Sequence, residues 1–436
     1  MTAIAPRERT AVLQSLGAGV VPAVGLHHLQ VGRKDEVEAL LRDLQIIEEG
    51  GAAIRFIVGR YGSGKTFFLN LIRNVALQRK HVVLQADITT DRRLYATGGE
   101  ARALYSELIR NLATRSRPEG NALPNLVEKW VGDLDHEVRN SGGSDDDVQQ
   151  AIIKALRPLQ ELVSGFDFAT VLSKYYEGYR THNEDLQGSA LRWLRGEYTT
   201  RTEAREALGV RTIIDDSQVY DYLKLWAGFV RLAGYKGLLV NIDELVVLSH
   251  RLSNTISRNK NYEALLRIIN DCLQGRAQGI AFIFAGTDEC IEDRRRGLFS
   301  YEALATRLAA NRFAVDGRQD WSSPVIKLQS LRPEDCYVLL GKLRHIHAGG
   351  DASKYLIPDD GIASYLRDCN ERMGAAYFQT PRDTVKDFVN LLNILDQDRS
   401  LTWQSLMSSK AFVGPSSPTE DSLDEADDGD LTEFKL

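Results

Sequence analysis

Cysteine is scarce in this chain: Cys272, Cys290, Cys336 and Cys369 are its four, and none stands in C-x-x-C spacing. That excludes a disulfide-stapled scaffold or a thiolate zinc ribbon, and it fits small buried residues in a reducing, cytoplasmic setting. Long apolar runs are missing too. No uninterrupted stretch suffices to cross a bilayer, and the opening "MTAIAPRERTAVLQSLGAG" lacks the basic-then-apolar layout of a secretory signal, so no membrane partner is expected. An excess of one charge is absent from the body of the chain. The formal net charge is −6, from 54 basic and 60 acidic residues; Glu420–Leu436 alone carries eight acids and one lysine, leaving 53 basic against 52 acidic elsewhere. A near-neutral body neither favours nor excludes a nucleic-acid partner. Internal repeats are absent. The eight histidines show no metal-ligand spacing (His345 and His347, two apart, lack helpers), so no metal is expected beyond Mg²⁺ arriving with a nucleotide.

What is present is an ordinary globular balance, 43% hydrophobic and 26% charged over 436 residues, enough for two or three domains. Val31–Gly51 has helical periodicity and stops at Gly-Gly. A strand at Arg55–Val58 then leads through a glycine-rich turn into a helix over Lys65–Gln78. "HVVLQADIT" (His81–Thr89), "GLLVNIDEL" (Gly237–Leu245), "GIAFIFAGTDE" (Gly279–Glu289) and "PVIKLQSL" (Pro324–Leu331) read as further strands, the middle two as central parallel ones. Between the second and third the pattern is helical, with a polar break at "SGGSDDD" (Ser141–Asp147). Alternation of strands and helices predicts an α/β fold, a parallel sheet with helices on both faces. The expected boundaries are a leader at 1–50, a core at 51–330 carrying a helical insertion at about 98–234, a helical lid at 331–413 and an acidic, low-complexity tail at 414–436, expected to be disordered.

The chemistry concentrates in "GRYGSGKT", Gly59–Thr66, which matches G-x-x-x-x-G-K-[ST] in full between a predicted strand and a predicted helix. Gly59, Gly62 and Gly64 let the backbone wrap a phosphate. The amides of Tyr61 and Ser63 through Phe67 then point inward at the anion at a helix N-terminus. Lys65 reaches the β- and γ-phosphates and the Thr66 hydroxyl ligates Mg²⁺. In "LLVNIDEL", Asp243 ends an apolar strand where it can also hold Mg²⁺. Glu244 beside it, pointing the other way along the strand, is suited to polarise an attacking water. Thr287, closing "FIFAGT", is placed to orient that water. An Asp-Glu pair favours hydrolysis of ATP over phosphoryl transfer to a small molecule.

With these strands in order the chain resembles the AAA+ ATPases, particularly the branch containing origin-recognition and transposition-associated ATPases. The resemblance makes the core a P-loop NTPase with ATP and Mg²⁺ as cofactors. "GVVPAVGLHHLQVGRKDE" (Gly19–Glu36) looks like the leader lining an adenine pocket, with Val21 and Pro22 near the base. "FQTPRDTVKDFVNLL" (Phe378–Leu392) looks like a sensor-2 helix, with Thr380 as cap, Pro381 at the first helical position, Asp383 completing a capping box and Arg382 able to swing toward the phosphates. Arg307 in "ALATRL" sits where such proteins place an arginine finger, with Arg312 as its competitor; a finger acting in trans implies a homo-oligomer. "RRRGLFSYEALATRLAANRF" (Arg294–Phe313), "GYKGLLVNIDEL" and "TPRD" are similar to the BrxD-like ATP-binding proteins of BREX-type phage-defence loci. That resemblance, over about 19–395, implies action on DNA with a helicase-like partner in antiviral defence.

From the residues alone, DNA contact rests on two patches: Arg294–Arg296, and Arg192, Trp193 and Arg195, where an aromatic lies between charges. Two functional classes stay open at this point. One is an ATP-hydrolysing enzyme on DNA; the other is an ATP-dependent switch or scaffold with little turnover of its own.

Overall fold

The computed structural model describes residues 4–408 apart from 23, 315–318, 330 and 373–380. Among them, five strands form one sheet: β1 (Ala52–Val58), β2 (Val82–Asp87), β3 (Leu238–Asp243), β4 (Ile280–Gly286) and β5 (Val325–Lys327), ordered β2-β3-β4-β1-β5 and parallel throughout. These are short, almost uniformly buried runs of Val, Ile, Leu, Phe and Ala, as a sheet covered on both faces requires. Alternate residues divide between the two layers. Ile54, Phe56 and Val58 join the larger core, where Phe56 stacks on Phe284 at 5.3 Å. Ala53 and Ile57 face the other way, onto Leu40, Leu44, Phe68 and Ile72 of helices Lys34–Glu48 and Lys65–Gln78.

One residue of β1 breaks the apolar pattern. Arg55, 8% exposed, donates from Nε and Nη2 to the two carboxylate oxygens of Asp43 at 2.6 and 2.7 Å, and from Nη1 to the Ser323 carbonyl just before β5. The pair therefore ties a helix and the edge strand to β1. Asp43→Ala strands a buried guanidinium, and we expect a loss of about 3–5 kcal/mol in urea-induced unfolding; a loss under about 1 kcal/mol, the range of an exposed pair, would mean the anchor is not needed.

Seven helices, from Glu100–Arg110 to Val219–Leu232, lie between β2 and β3 among the described residues. They share the sheet's core. Trp226 and Phe229 of the last helix meet Phe168 and Trp130 edge-on, and Trp226 Nε1 donates to the Tyr105 hydroxyl, which itself donates to the Leu194 carbonyl, each at 2.8 Å. The polar break is a helix start: Ser144 and Asp147 form a reciprocal capping box on Asp145–Gln160.

Helices Pro333–His347, Asp359–Arg372, Pro381–Gln397 and Trp403–Ser408 follow the sheet. Their core (Leu340, Leu343, Ile362, Phe388, Leu392) also takes Val12 of helix Pro6–Gly17 and Leu29, with Phe67 packed against it. The N-terminal segment thus packs with the C-terminal helices. Thr380 and the stretch 414–436 lie outside the described residues. No helix among the described residues is long and apolar enough to cross a membrane.

Two buried histidines lead us to expect an acid-sensitive fold. Burial lowers the pKa of His81, whose Nδ1–H donates to the Ala76 carbonyl at 3.2 Å while Nε2 lies 3.7 Å from Glu48, and Arg79 adds to the lowering; burial likewise lowers His347. Above the unfolded histidine pKa of about 6.5 both states are neutral and stability is full; below it the unfolded chain takes up protons that the fold refuses, so stability falls. We expect denaturant midpoints to drop between about pH 6.5 and 5.5, and the drop to shrink in the His81→Gln/His347→Gln protein. An unchanged slope would remove these histidines as its cause.

Candidate nucleotide-binding site

The loop between β1 and helix Lys65–Gln78 can be built only with glycine at its turning points. A Cβ on Gly59 would lie 2.7 Å from Ser63 Oγ and 3.0 Å from the Leu328 carbonyl, and Gly64 has φ +91°. The loop is braced from behind by a residue that sequence reasoning passed over. Arg33, itself left-handed at φ 59°, donates from Nη2 to the carbonyls of Ser63 (3.3 Å) and Gln329 (2.6 Å), and from Nη1 to Glu36. Its position in the "VGRKDE" turn carried no hint of that contact.

Lys65 Nζ donates to the Gly59 and Arg60 carbonyls at 2.9 and 3.0 Å, so the ammonium lies across the mouth of the loop. Burial holds its pKa below the usual lysine value, against the opposing pull of Asp243, Glu244 and Asp288. The next residue reaches across the sheet: Thr66 Oγ1 donates to Asp243 Oδ2 at 2.8 Å, joining positions 177 residues apart. Asp243 is 5% exposed and its Oδ1 accepts the Glu244 amide at 2.8 Å.

Glu244 departs from the sequence expectation. It does not extend the strand: β3 ends at Asp243 and Glu244 takes φ 59°. A left-handed non-glycine residue costs about 1–2 kcal/mol, here supported by the amide bond to Asp243. The kink, not strand alternation, sets where this exposed carboxylate points. Strained backbone of this kind concentrates at functional sites.

A third carboxylate joins them. Asp87 ends β2 in register with Asp243; burial and then the Asp243 charge raise its pKa, while burial, Asp243 and Asp87 raise that of Glu244. The "ADIT" end of a predicted strand was a signal for Asp87, and it was missed. Thr287 ends the segment after β4, the strand between β1 and β3, and its Oγ1 is buried with no hydrogen-bond partner, as is Ser63 Oγ. These residues fit a magnesium–nucleotide complex. Acid groups short of positive charge, a Thr–Asp pair beside them and two orphaned hydroxyls at a glycine cradle are what a cation and phosphate oxygens would satisfy.

The helix beginning at Pro381 reaches the glycine loop. Arg382 Nη1 donates to the Tyr61 hydroxyl at 2.7 Å, with its guanidinium 5.4 Å from the Tyr61 ring centre. Pro381 begins that helix. Ala18, Gly19, Tyr61, Arg382, Asp383 and Lys386 line a cleft of about 210 Å³ between the N-terminal segment, the glycine loop and helix Pro381–Gln397. Pro22 is buried and Val21 half-buried in the leader beyond it.

Other candidates sit elsewhere. Arg307 is held by its own protomer, donating from Nε to Asn270 Oδ1 at 2.6 Å and from Nη1 to the Ala303 carbonyl at 2.8 Å, whereas Arg312 is exposed. Trp193, at 1% exposure and with Nε1 donating to the Thr212 carbonyl, is core and offers no stacking face for a base. Arg192 pairs with Glu203 and lies over Tyr198. In the basic run, Arg294 and Arg295 are exposed, while Arg296 donates to the Leu252 carbonyl.

A five-stranded parallel sheet that gathers a glycine loop, a lysine and acidic strand ends at one edge defines an α/β protein equipped to hold phosphate. The family model for the BREX system ATP-binding protein BrxC/D matches residues 4–411, and the chain belongs to that family. Membership makes it an ATP-binding protein of a BREX phage-defence system. No curated protein matches the chain.

Proposed function

We propose that the chain is an AAA+ P-loop ATPase that hydrolyses ATP with Mg²⁺. The observation that carries this reading is the 2.8 Å bond from Thr66 to Asp243 with Glu244 kinked immediately after it. Thr66 and Asp243 would hold Mg²⁺, which neutralises developing phosphate charge. Lys65 exchanges its two loop carbonyls for phosphate oxygens, and the loop amides of Gly59–Phe67 take the rest. Glu244 accepts a proton from the attacking water, a role that its raised pKa suits. Thr287 orients that water. Arg382 leaves Tyr61 for the γ-phosphate, so the lid registers the nucleotide, and Val21 and Pro22 flank the base.

In this reading 1–50 is the leader, 51–330 the core with its insertion at 98–234, 331–413 the lid and 414–436 an acidic tail. Arg307 serves as the finger of a homo-oligomer only if it exchanges Asn270 for a neighbour's phosphate; Arg312 is the exposed alternative. The protein acts in the cytoplasm on DNA with a helicase-like defence partner.

The test is ATP turnover by the purified chain, alone and with single- or double-stranded DNA. Turnover that rises with DNA supports the reading. Tight ATP binding with no turnover under any of these conditions would overturn the enzyme in favour of an ATP-dependent switch.

A further inference from the structure

We propose that Glu8, His27 and His28 form a binding site for a transition-metal ion of the zinc class. The ligand atoms of these three residues lie within 4.8 Å of one another, and His28 Nε2 is 3.1 Å from Glu8 Oε2. The two imidazoles sit side by side, their centres 3.9 Å apart. Two ring nitrogens and a carboxylate oxygen are a donor set that binds zinc, with a fourth position left for water. Tetrahedral zinc with bonds of about 2.0–2.2 Å spaces its ligands roughly 3.3 Å apart. The Glu8–His28 edge is already at that spacing. His27 is exposed, so its ring is free to close the remaining gap by a side-chain rotation.

The cluster is held by the fold. Gly25 adopts φ +78°, and a Cβ there would lie 2.7 Å from Val12 Cγ2, so only glycine lets the turn Leu26–His28 lie against helix Pro6–Gly17. Leu26 and Leu29, 2% and 3% exposed, anchor the turn on either side of the histidines. Glu8 sits in the first turn of that helix, on the side the turn approaches: the same Cβ would lie 3.5 Å from Glu8 Cβ. An ion here joins the turn Leu26–His28 to the first helix. The far end of that helix packs on the Arg382 helix, where a Cβ on Gly17 would meet Asn390 and Val389 at 3.4 and 3.5 Å. The two imidazole nitrogens separate this site from that of magnesium, which prefers all-oxygen coordination.

The experiment titrates the full chain, stripped of metal and free of nucleotide and Mg²⁺, with Co²⁺ as a spectroscopic stand-in for zinc. We expect one equivalent to give the intense visible bands of a four-coordinate ion, and Zn²⁺ to displace it. His27→Ala and His28→Ala should each weaken Co²⁺ binding by more than about 10–100-fold, the loss that follows even from removing an outer-shell partner. Glu8→Gln should weaken it as well, and His136→Ala, a histidine elsewhere on the surface, should leave it unchanged. Zn²⁺ should raise the melting temperature of the wild type and not of His27→Ala, a substitution at an exposed position that keeps the fold. Absence of the four-coordinate bands, or bands that persist in both histidine variants, would overturn the site and leave Glu8–His28 a plain ion pair.

Discussion

Glu244→Gln is expected to leave ATP binding intact and to cut turnover by roughly 10²–10⁴-fold, the usual worth of a positioned general base. Glutamine keeps the length and polarity of the side chain and the left-handed backbone of position 244, so the amide bond to Asp243 and the Thr66–Asp243 contact survive. What it loses is the ability to take a proton. The carboxyl is suited to that task because partial burial, then the Asp243 and Asp87 charges, raise its pKa above the usual carboxylate value while Lys65 opposes the shift. Phosphate-release assays beside equilibrium binding of a fluorescent ATP analogue separate the two effects. Undiminished turnover would remove Glu244 as the base; lost binding would show that its charge supports the nucleotide itself.

Lys65→Ala should act one step earlier. The ammonium makes two hydrogen bonds to loop carbonyls, at Gly59 and Arg60, and with ATP bound it would make charge-assisted bonds to phosphate oxygens in their place. Hydrogen bonds to charged groups contribute about 1.5–3 kcal/mol each, so losing two lowers affinity by roughly 10²-fold at the least. Because burial already penalises the charged lysine, removing it costs the apo fold little, and the melting temperature is expected to hold within a few degrees. Calorimetric titration with ATP-Mg²⁺ checks the first expectation and a thermal scan the second. ATP affinity within a factor of about three of wild type, under 1 kcal/mol, would contradict the phosphate-loop reading.

The contrast between Lys65 and Arg33 shows what could be read without coordinates. Lys65 belongs to a contiguous motif whose spacing encodes its own geometry: glycines that alone fit the turn, then a helix start. Arg33 reaches the same loop through the carbonyls of Ser63 and Gln329, one of them almost three hundred residues away, and no local pattern announces such a contact. Glu244 is intermediate. Its identity as the acid after Asp243 was legible, yet the backbone that carries it was not, since an extended strand was expected to run through position 244 where the chain instead turns left-handed. For Trp193 and its flanking arginines the sequence left both a core ring and a surface patch open, and the insertion's packing decides for core, with the ring against Tyr222 and its Nε1 on the Thr212 carbonyl.

The sequence by itself determined the elements and the glycine-rich motif between two of them: short apolar runs of strand length, a helix beginning at Lys65, Asp243 at a strand end. Those features depend on local periodicity and on backbone requirements that a few neighbouring residues satisfy. Only the tertiary structure decided which strand ends become neighbours. The order β2-β3-β4-β1-β5 brings Asp87 beside Asp243, sets Thr287 between the glycine loop and the acids, and lays Arg382 on Tyr61. Packing of the turn Leu26–His28 on the first helix lays His27 and His28 beside Glu8, a grouping that histidine spacing in the chain did not reveal. Such meetings follow from burying three apolar cores at once, and that is a property of the whole chain rather than of any stretch within it.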